Sequence, residues 1–101
     1  NTISWDILKN HVKVFIAAPD WVAANGMRML GAPIKGDAPV TSGESGAAPF
    51  GALAAVMTMD EYKDLREHLG LNQDSKVLLF STEGDTDPER YKAIVWEGKE
   101  R

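Results

Sequence analysis

The run Ala47 to Met57 is almost wholly apolar and dominated by alanine, and it constrains the fold more than any other stretch. Phe50, Leu53 and Met57 recur at spacings that share one face of a helix. The remaining faces carry alanine and glycine rather than charge. A helix apolar all round is stable only when covered on most sides, so the sequence calls for other layers around this one. The chain has 101 residues, 44% of them hydrophobic and 26% charged. That length bounds it to one small domain, with a core that is marginal unless it packs against more protein.

Flanking signals divide the rest. Ser4 is placed to cap a short helix carrying Trp5, Leu8 and Val12, with Asp6 in its first turn. Val12 to Ala18 reads as a strand, and Pro19 breaks it. Asp20 is placed to cap a helix from Trp21 to about Leu30, ending near Gly31 and Pro33. Gly31 to Gly46 is turn-forming in composition and reads as loop, with one short extended piece at Val40-Thr41. Thr58-Met59-Asp60-Glu61 fits a capping box, opening a helix with Tyr62, Leu65 and Leu69 inward and Gly70 as its left-handed stop. Lys76 to Phe80 reads as a buried strand. Asp87-Pro88-Glu89 starts a last helix that turns Tyr91, Ile94 and Val95 inward. Helices alternating with strands imply an α/β class, with a small, mostly parallel sheet that sequence upstream must complete. Asn1 stands first instead of Met, and the amphipathic pattern begins at once, which also leads us to expect preceding sequence.

Several function classes fall away on composition. Absence of cysteine removes disulfides, thiolate metal sites and thiol nucleophiles. A net charge of -4 with scattered basic residues argues against nucleic acid. No apolar run approaches the roughly 20 residues of a membrane span, and no signal pattern opens the chain, so we expect a cytoplasmic protein. Glu83, Asp85 and Asp87 alternate, but they lack the other ligands of a calcium loop, and no metal is expected. His11 and His68 are expected at the surface, Met27, Met29 and Met57 in the core, and the tryptophans too dispersed to stack a ligand.

Two stretches are chemically suggestive. In Thr41-Ser42-Gly43-Glu44-Ser45-Gly46-Ala47-Ala48 one carboxylate lies between glycines at the mouth of the apolar helix. Backbone there can approach a flat ligand closely, and a helix amino end offers free N–H groups. The plainer reading is that Ser45 caps the helix and Glu44 favours its dipole. In Phe80-Ser81-Thr82-Glu83-Gly84-Asp85-Thr86-Asp87 two hydroxyls come directly after a strand, where open α/β sheets bind ligands. Turn and cap chemistry is the plainer alternative.

Together these words resemble the carboxy-terminal region of diaminopropionate ammonia-lyases, pyridoxal-phosphate enzymes of fold type II, the tryptophan-synthase-β-like group. The matching segments are Ile3-Ser4-Trp5, Pro19 to Ala23, Gly26 to Leu30, Ser42 to Ala47 and, most specifically, Leu78 to Tyr91. The resemblance implies a single segment, residues 1–101, of a larger pyridoxal-phosphate-binding catalytic domain. By it, Ser81 hydrogen-bonds the pyridine nitrogen, with Thr82 the fallback if the loop shifts by one. Glu44 lies beside the ring, with Gly43 and Gly46 allowing its close approach. It further implies β-elimination of 2,3-diaminopropionate to pyruvate and ammonia, and a homodimer.

None of Lys9, Lys13, Lys35, Lys63, Lys76, Lys92 or Lys99 sits in the family's Schiff-base context, and there is no glycine-rich phosphate cradle. The covalent anchor and the acid-base carboxylates are therefore expected upstream, and the chain alone is expected to be inactive. Two alternatives stand beside this one: a related threonine or serine dehydratase, and a free-standing binding or regulatory module.

Overall fold

The fold was taken from a computed structural model that describes residues 2–12 and 14–100. Its helices are α1 (Thr2–His11), α2 (Asp20–Gly31), α3 (Glu44–Thr58), α4 (Lys63–Leu69) and α5 (Pro88–Val95), with a 3-10 turn at Asp60–Tyr62 before α4.

The centre is the crossing of α2 on α3, and two glycines make it possible. A Cβ on Gly51 would lie 2.0 Å from the Val22 carbonyl oxygen, and one on Gly26 would lie 2.4 Å from that of Ala47. Backbone therefore rests on backbone, which no side chain at either position would permit. Around this crossing Ala24, Met27, Ala47 and Ile94 form the buried core, with Leu30, Tyr91 and Val95 packed against it. Ile94 brings in α5, which Arg28 then holds. The Arg28 guanidinium donates from Nε to the Ile94 carbonyl at 2.9 Å and from Nη2 to the Lys99 carbonyl. The Ile94 carbonyl, orphaned at the end of α5 by helix geometry, thus finds a charged donor, and so does the Lys99 carbonyl in the segment that follows the helix.

Local stop and start signals act as expected at two ends. Gly70 takes φ 71°, and the Gly70 and Leu71 N–H groups return to the Glu67 and Arg66 carbonyls. Asp87 Oδ1 accepts from the Arg90 N–H at 3.2 Å, with Pro88 in the first turn.

Elsewhere the boundaries differ from expectation. Asp20 is the first residue of α2 rather than its cap, with Pro19 ahead of it in extended backbone. Thr58 closes α3 instead of opening the next helix, because its hydroxyl donates back to the Ala54 carbonyl at 2.6 Å. Helix α1 begins before Ser4, and Trp5 and Leu8 on its expected inner face are exposed. The reading of Asp6 falls on a side chain outside the described ones. His11 and His68 are exposed and Met27 is buried, as expected, whereas Met29 is 45% exposed.

The sheet does not form among the described residues. Residues 14–18 and 76–80 have no regular secondary structure, and no ladder partner lies beside either. A strand exists only through bonds to a neighbouring strand, and here none is at hand. Their apolar side chains are correspondingly open, with Phe15 at 64%, Leu78 at 77% and Phe80 at 72% exposure. Helix α3 is also less covered than its composition demands. Phe50, Leu53 and Met57 are only half-buried, and one flank of α3 borders an open apolar trough of about 540 Å³ lined in part by Ile16, Leu53, Leu69 and Leu71.

The accessible surface is 7703 Å², whereas a globular monomer of this mass exposes about 5600 Å². Among the described residues no helix is long and apolar enough to cross a membrane, and no group of His, Cys, Asp or Glu side chains is arranged to hold a metal ion.

Candidate functional site

The two suggestive stretches meet. Helix α3 starts at Glu44, earlier than the apolar run, so Glu44, Ser45 and Gly46 form its first turn, with Gly43 in extended backbone before it. Ser45 is thus inside the helix and supplies no side-chain cap. Residues 81–90 fold over this turn and satisfy it. The Gly43 N–H donates to the Glu83 carbonyl at 3.1 Å, and the Ser45 N–H to the Glu83 carboxylate at 3.2 Å. An anion at a helix amino end is favourably placed, and here Glu83 fills that position.

Ser42 and Ser81 join the same contact, their hydroxyl oxygens 2.7 Å apart. Ser42 is fully buried, while Ser81 lies on the open side. Glycine is required on both sides of the turn. A Cβ on Gly46 would lie 2.6 Å from Ser42 Oγ and 3.0 Å from Ser81 Oγ, and one on Gly43 would lie 2.6 Å from both the Glu83 carboxylate and the Gly84 carbonyl. Thr82 is exposed beside Ser81.

Glu44 makes a two-point ion pair with Arg90 of α5, from Nε to Oε1 and from Nη2 to Oε2 at 3.0 Å. The hydrogen bond from Arg90 is the main cause of a Glu44 pKa below the ordinary glutamate value, and partial burial opposes it. The same contact holds the Arg90 guanidinium more firmly protonated. Next to this pair is a recess of about 70 Å³ bordered by Gly43, Glu44, Glu83, Thr86, Arg90 and Tyr91.

The structure therefore brings Ser81, Gly43, Gly46 and Glu44 to one place, with Thr82 at its edge. Sequence reasoning missed Ser42, Glu83 and Arg90. Arg90 carried a usable signal: a cation in the first turn of a helix opposes the dipole and so suggests an acidic partner. Ser42 carried a fainter one, a lone hydroxyl among small residues directly ahead of a buried helix.

No protein-family model matches the chain. It is 50% identical over 99 residues to the diaminopropionate ammonia-lyase of Escherichia coli K12, and 48% identical over 100 residues to that of Salmonella typhimurium LT2. Each match covers 98% of this chain, which spans about a quarter of the length of these curated relatives. The fold agrees as well. The apo form of the Escherichia coli enzyme superposes with a TM-score of 0.93 at 50% identity, covering 99% of this chain and 28% of that one. The same score holds for that enzyme in complex with an aminoacrylate–PLP azomethine reaction intermediate and in complex with D-serine. The resemblance drawn from the short segments thus extends through the chain, in sequence and in fold.

Proposed function

We propose that this chain is the carboxy-terminal part of a diaminopropionate ammonia-lyase, a fold type II pyridoxal-phosphate enzyme that converts 2,3-diaminopropionate to pyruvate and ammonia. The observation that carries the reading is 50% identity over nearly the whole chain to an enzyme of that name. The large apolar surface supports it, because a free-standing module of this size would not leave Leu78, Phe80 and the flank of α3 open to water. On this reading residues 1–101 are one segment of the catalytic domain, and strands from the rest of the enzyme pair with 14–18 and 76–80 to make the sheet. A homodimer in the cytoplasm is part of the same proposal.

The residues present fit the edge of a cofactor ring. Ser81 presents a hydroxyl on the open side of its hydrogen bond with buried Ser42, and the absent Cβ of Gly46 leaves room for both hydroxyls. Bound pyridoxal phosphate supplies an electron sink that acidifies the substrate's α-proton and lets the β-amino group depart. Ser81 bonds the ring nitrogen, and as a neutral partner it leaves the sink milder than a carboxylate would. Gly43 and Gly46 let the ring lie close, and Thr82 is the fallback donor. Glu44 stands beside the ring with Arg90 fixing its charge and orientation. The Schiff-base lysine, the acid-base carboxylates and the phosphate cradle belong to the remaining three quarters of the enzyme, so this chain alone binds no cofactor productively.

A chimaera in which this chain replaces the matching quarter of the Escherichia coli enzyme tests the proposal. It should bind pyridoxal phosphate, seen as an absorbance band of the protein-bound cofactor, and release pyruvate from 2,3-diaminopropionate. A folded chimaera that binds cofactor but releases no pyruvate would sink the assigned reaction. Predominant formation of 2-oxobutyrate from threonine would instead place the chain with the dehydratases.

A further inference from the structure

Ser42 is the buried polar side chain among the described residues, with no exposed surface. Its hydroxyl carries one proton, and a buried donor left without an acceptor is costly. The candidate acceptors are the Gly43 carbonyl at 3.4 Å and Ser81 Oγ at 2.7 Å. O–H···O bonds run from about 2.5 to 3.0 Å, so the first contact is too long to satisfy the proton and the second is well inside the range. Ser81 faces the opposite situation, since it is exposed and its own proton can be satisfied from the open side. Both hydroxyl protons cannot lie on the one Oγ···Oγ axis. The lower-energy arrangement has Ser42 donating to Ser81, which turns the Ser81 proton outward.

We propose that Ser42 is a positioning residue that, by donating to Ser81, turns the Ser81 hydroxyl proton toward the cofactor ring. This rests on the assignment of Ser81 to the ring nitrogen and goes beyond it by naming the residue that orients the Ser81 hydroxyl. Gly46 is part of the device. Its missing Cβ would sit 2.6 Å from Ser42 Oγ and 3.0 Å from Ser81 Oγ, so any larger residue there would push the two hydroxyls apart.

The test uses the full-length holoenzyme carrying this segment, loaded with pyridoxal phosphate labelled with ¹⁵N in the ring. The ring-nitrogen NMR signal reports its protonation, and titration gives the cofactor dissociation constant, for wild type, Ser42→Ala, Ser81→Ala and the double variant. Ser42→Ala should move the nitrogen signal toward the protonated position and weaken cofactor binding about 2- to 10-fold, the worth of one hydrogen bond. In the Ser81→Ala background the same change should add nothing.

A nitrogen signal that Ser42→Ala leaves in place while Ser81→Ala moves it overturns the inference and spares the Ser81 assignment. Loss of affinity from Ser42→Ala that is equal in both backgrounds also overturns it, since the residue would then act through packing alone. If Ser81→Ala changes neither signal nor affinity, the Ser81 assignment itself fails. Should Ser42→Ala not fold, Ser42→Cys, close in size and a weak donor, carries the same cycle with the same expectations.

Discussion

Gly51→Ala is the substitution that most directly tests how this segment is built. The added Cβ would lie 2.0 Å from the Val22 carbonyl oxygen, 2.9 Å from its carbonyl carbon and 3.3 Å from the Gly26 nitrogen. All of these are backbone atoms of α2, so none can swing away as a side chain would. Carbon and carbonyl oxygen settle no closer than about 3.3 Å, and α2 and α3 must therefore part by about 1.3 Å at the crossing. A gap of about 1 Å already forfeits up to about half of the dispersion energy of the atoms lining it, here those of Ala24, Met27, Ala47 and Ile94.

Overpacking of this kind costs about 1–3 kcal/mol, and the better helix propensity of alanine returns up to about 1 kcal/mol. Because the clash is with backbone, we place the net loss near 1–2 kcal/mol. Hydrogen exchange of the full-length protein, resolved to peptides, reads this locally. Amide protection over 20–31 and 44–58 should fall by about 5- to 30-fold, at tenfold for each 1.4 kcal/mol. Gly70→Ala is the control. It carries φ 71° with open space where the Cβ would go, so it should loosen only the end of α4. Protection in α2 and α3 that is unchanged or raised by Gly51→Ala would refute the crossing, since propensity alone would then account for the outcome.

Arg28→Met keeps the stem of the side chain but removes its bonds to the Ile94 and Lys99 carbonyls. We expect protection over 88–95 to fall by the worth of about 1–3 kcal/mol, the cost of losing a charged donor, with α4 unaffected. Glu44→Gln should flatten the acid side of the stability profile. The folded-state pKa of Glu44 is depressed, chiefly by its hydrogen bond from Arg90, so the pair's contribution is full above the ordinary glutamate range and is lost as the pH falls through and below it. Acid titration followed by exchange over 81–95 checks this, and an identical acid profile in the variant would exclude the pair as a contributor. Gly46→Ala should weaken pyridoxal-phosphate binding tenfold or more, a loss of about 1.4 kcal/mol or greater, measured by titrating the apoenzyme. Unchanged affinity would mean that the hydroxyl pair is not at the ring.

Legibility depended on the range of the interaction involved. Gly70 and the Asp87-Pro88 start were readable because each acts within its own helical turn. Starts failed where a different bond won, whether local or remote. Thr58 was free to donate to Ala54 one turn back, and the amino end of α3 draws its acceptor from Glu83, which is remote in sequence. The glycine crossing of α2 and α3 was silent, because Gly26 and Gly51 read as weak helix formers until two backbones are known to touch. The sheet is not formed among the described residues for the same reason in reverse. The apolar, strand-like run at 76–80 is a sound local signal, but a strand is a relation between segments, and the described chain supplies only one side of it.

That open side bears on the site. Residues 76–80 hold Leu78 and Phe80 in water, with no ladder partner for their backbone, a combination seldom stable in solution. The adjoining stretch 81–90 is fixed to α3 through Ser81 on Ser42, Glu83 on Gly43 and Ser45, and Arg90 on Glu44. Each of these bonds is worth about 1 kcal/mol net, while fixing the backbone of a single residue costs about 1–2 kcal/mol. Such a tether cannot order all the residues from 76 to 87 by itself. On the sheet proposed above, the position of Ser81 is set from both ends, by α3 on one side and, on the other, by the strand that would pair with 76–80. Loss of that neighbour should release the Ser81 hydroxyl before it disturbs α2, α3 or α5, whose contacts lie in the glycine crossing and the core beneath it.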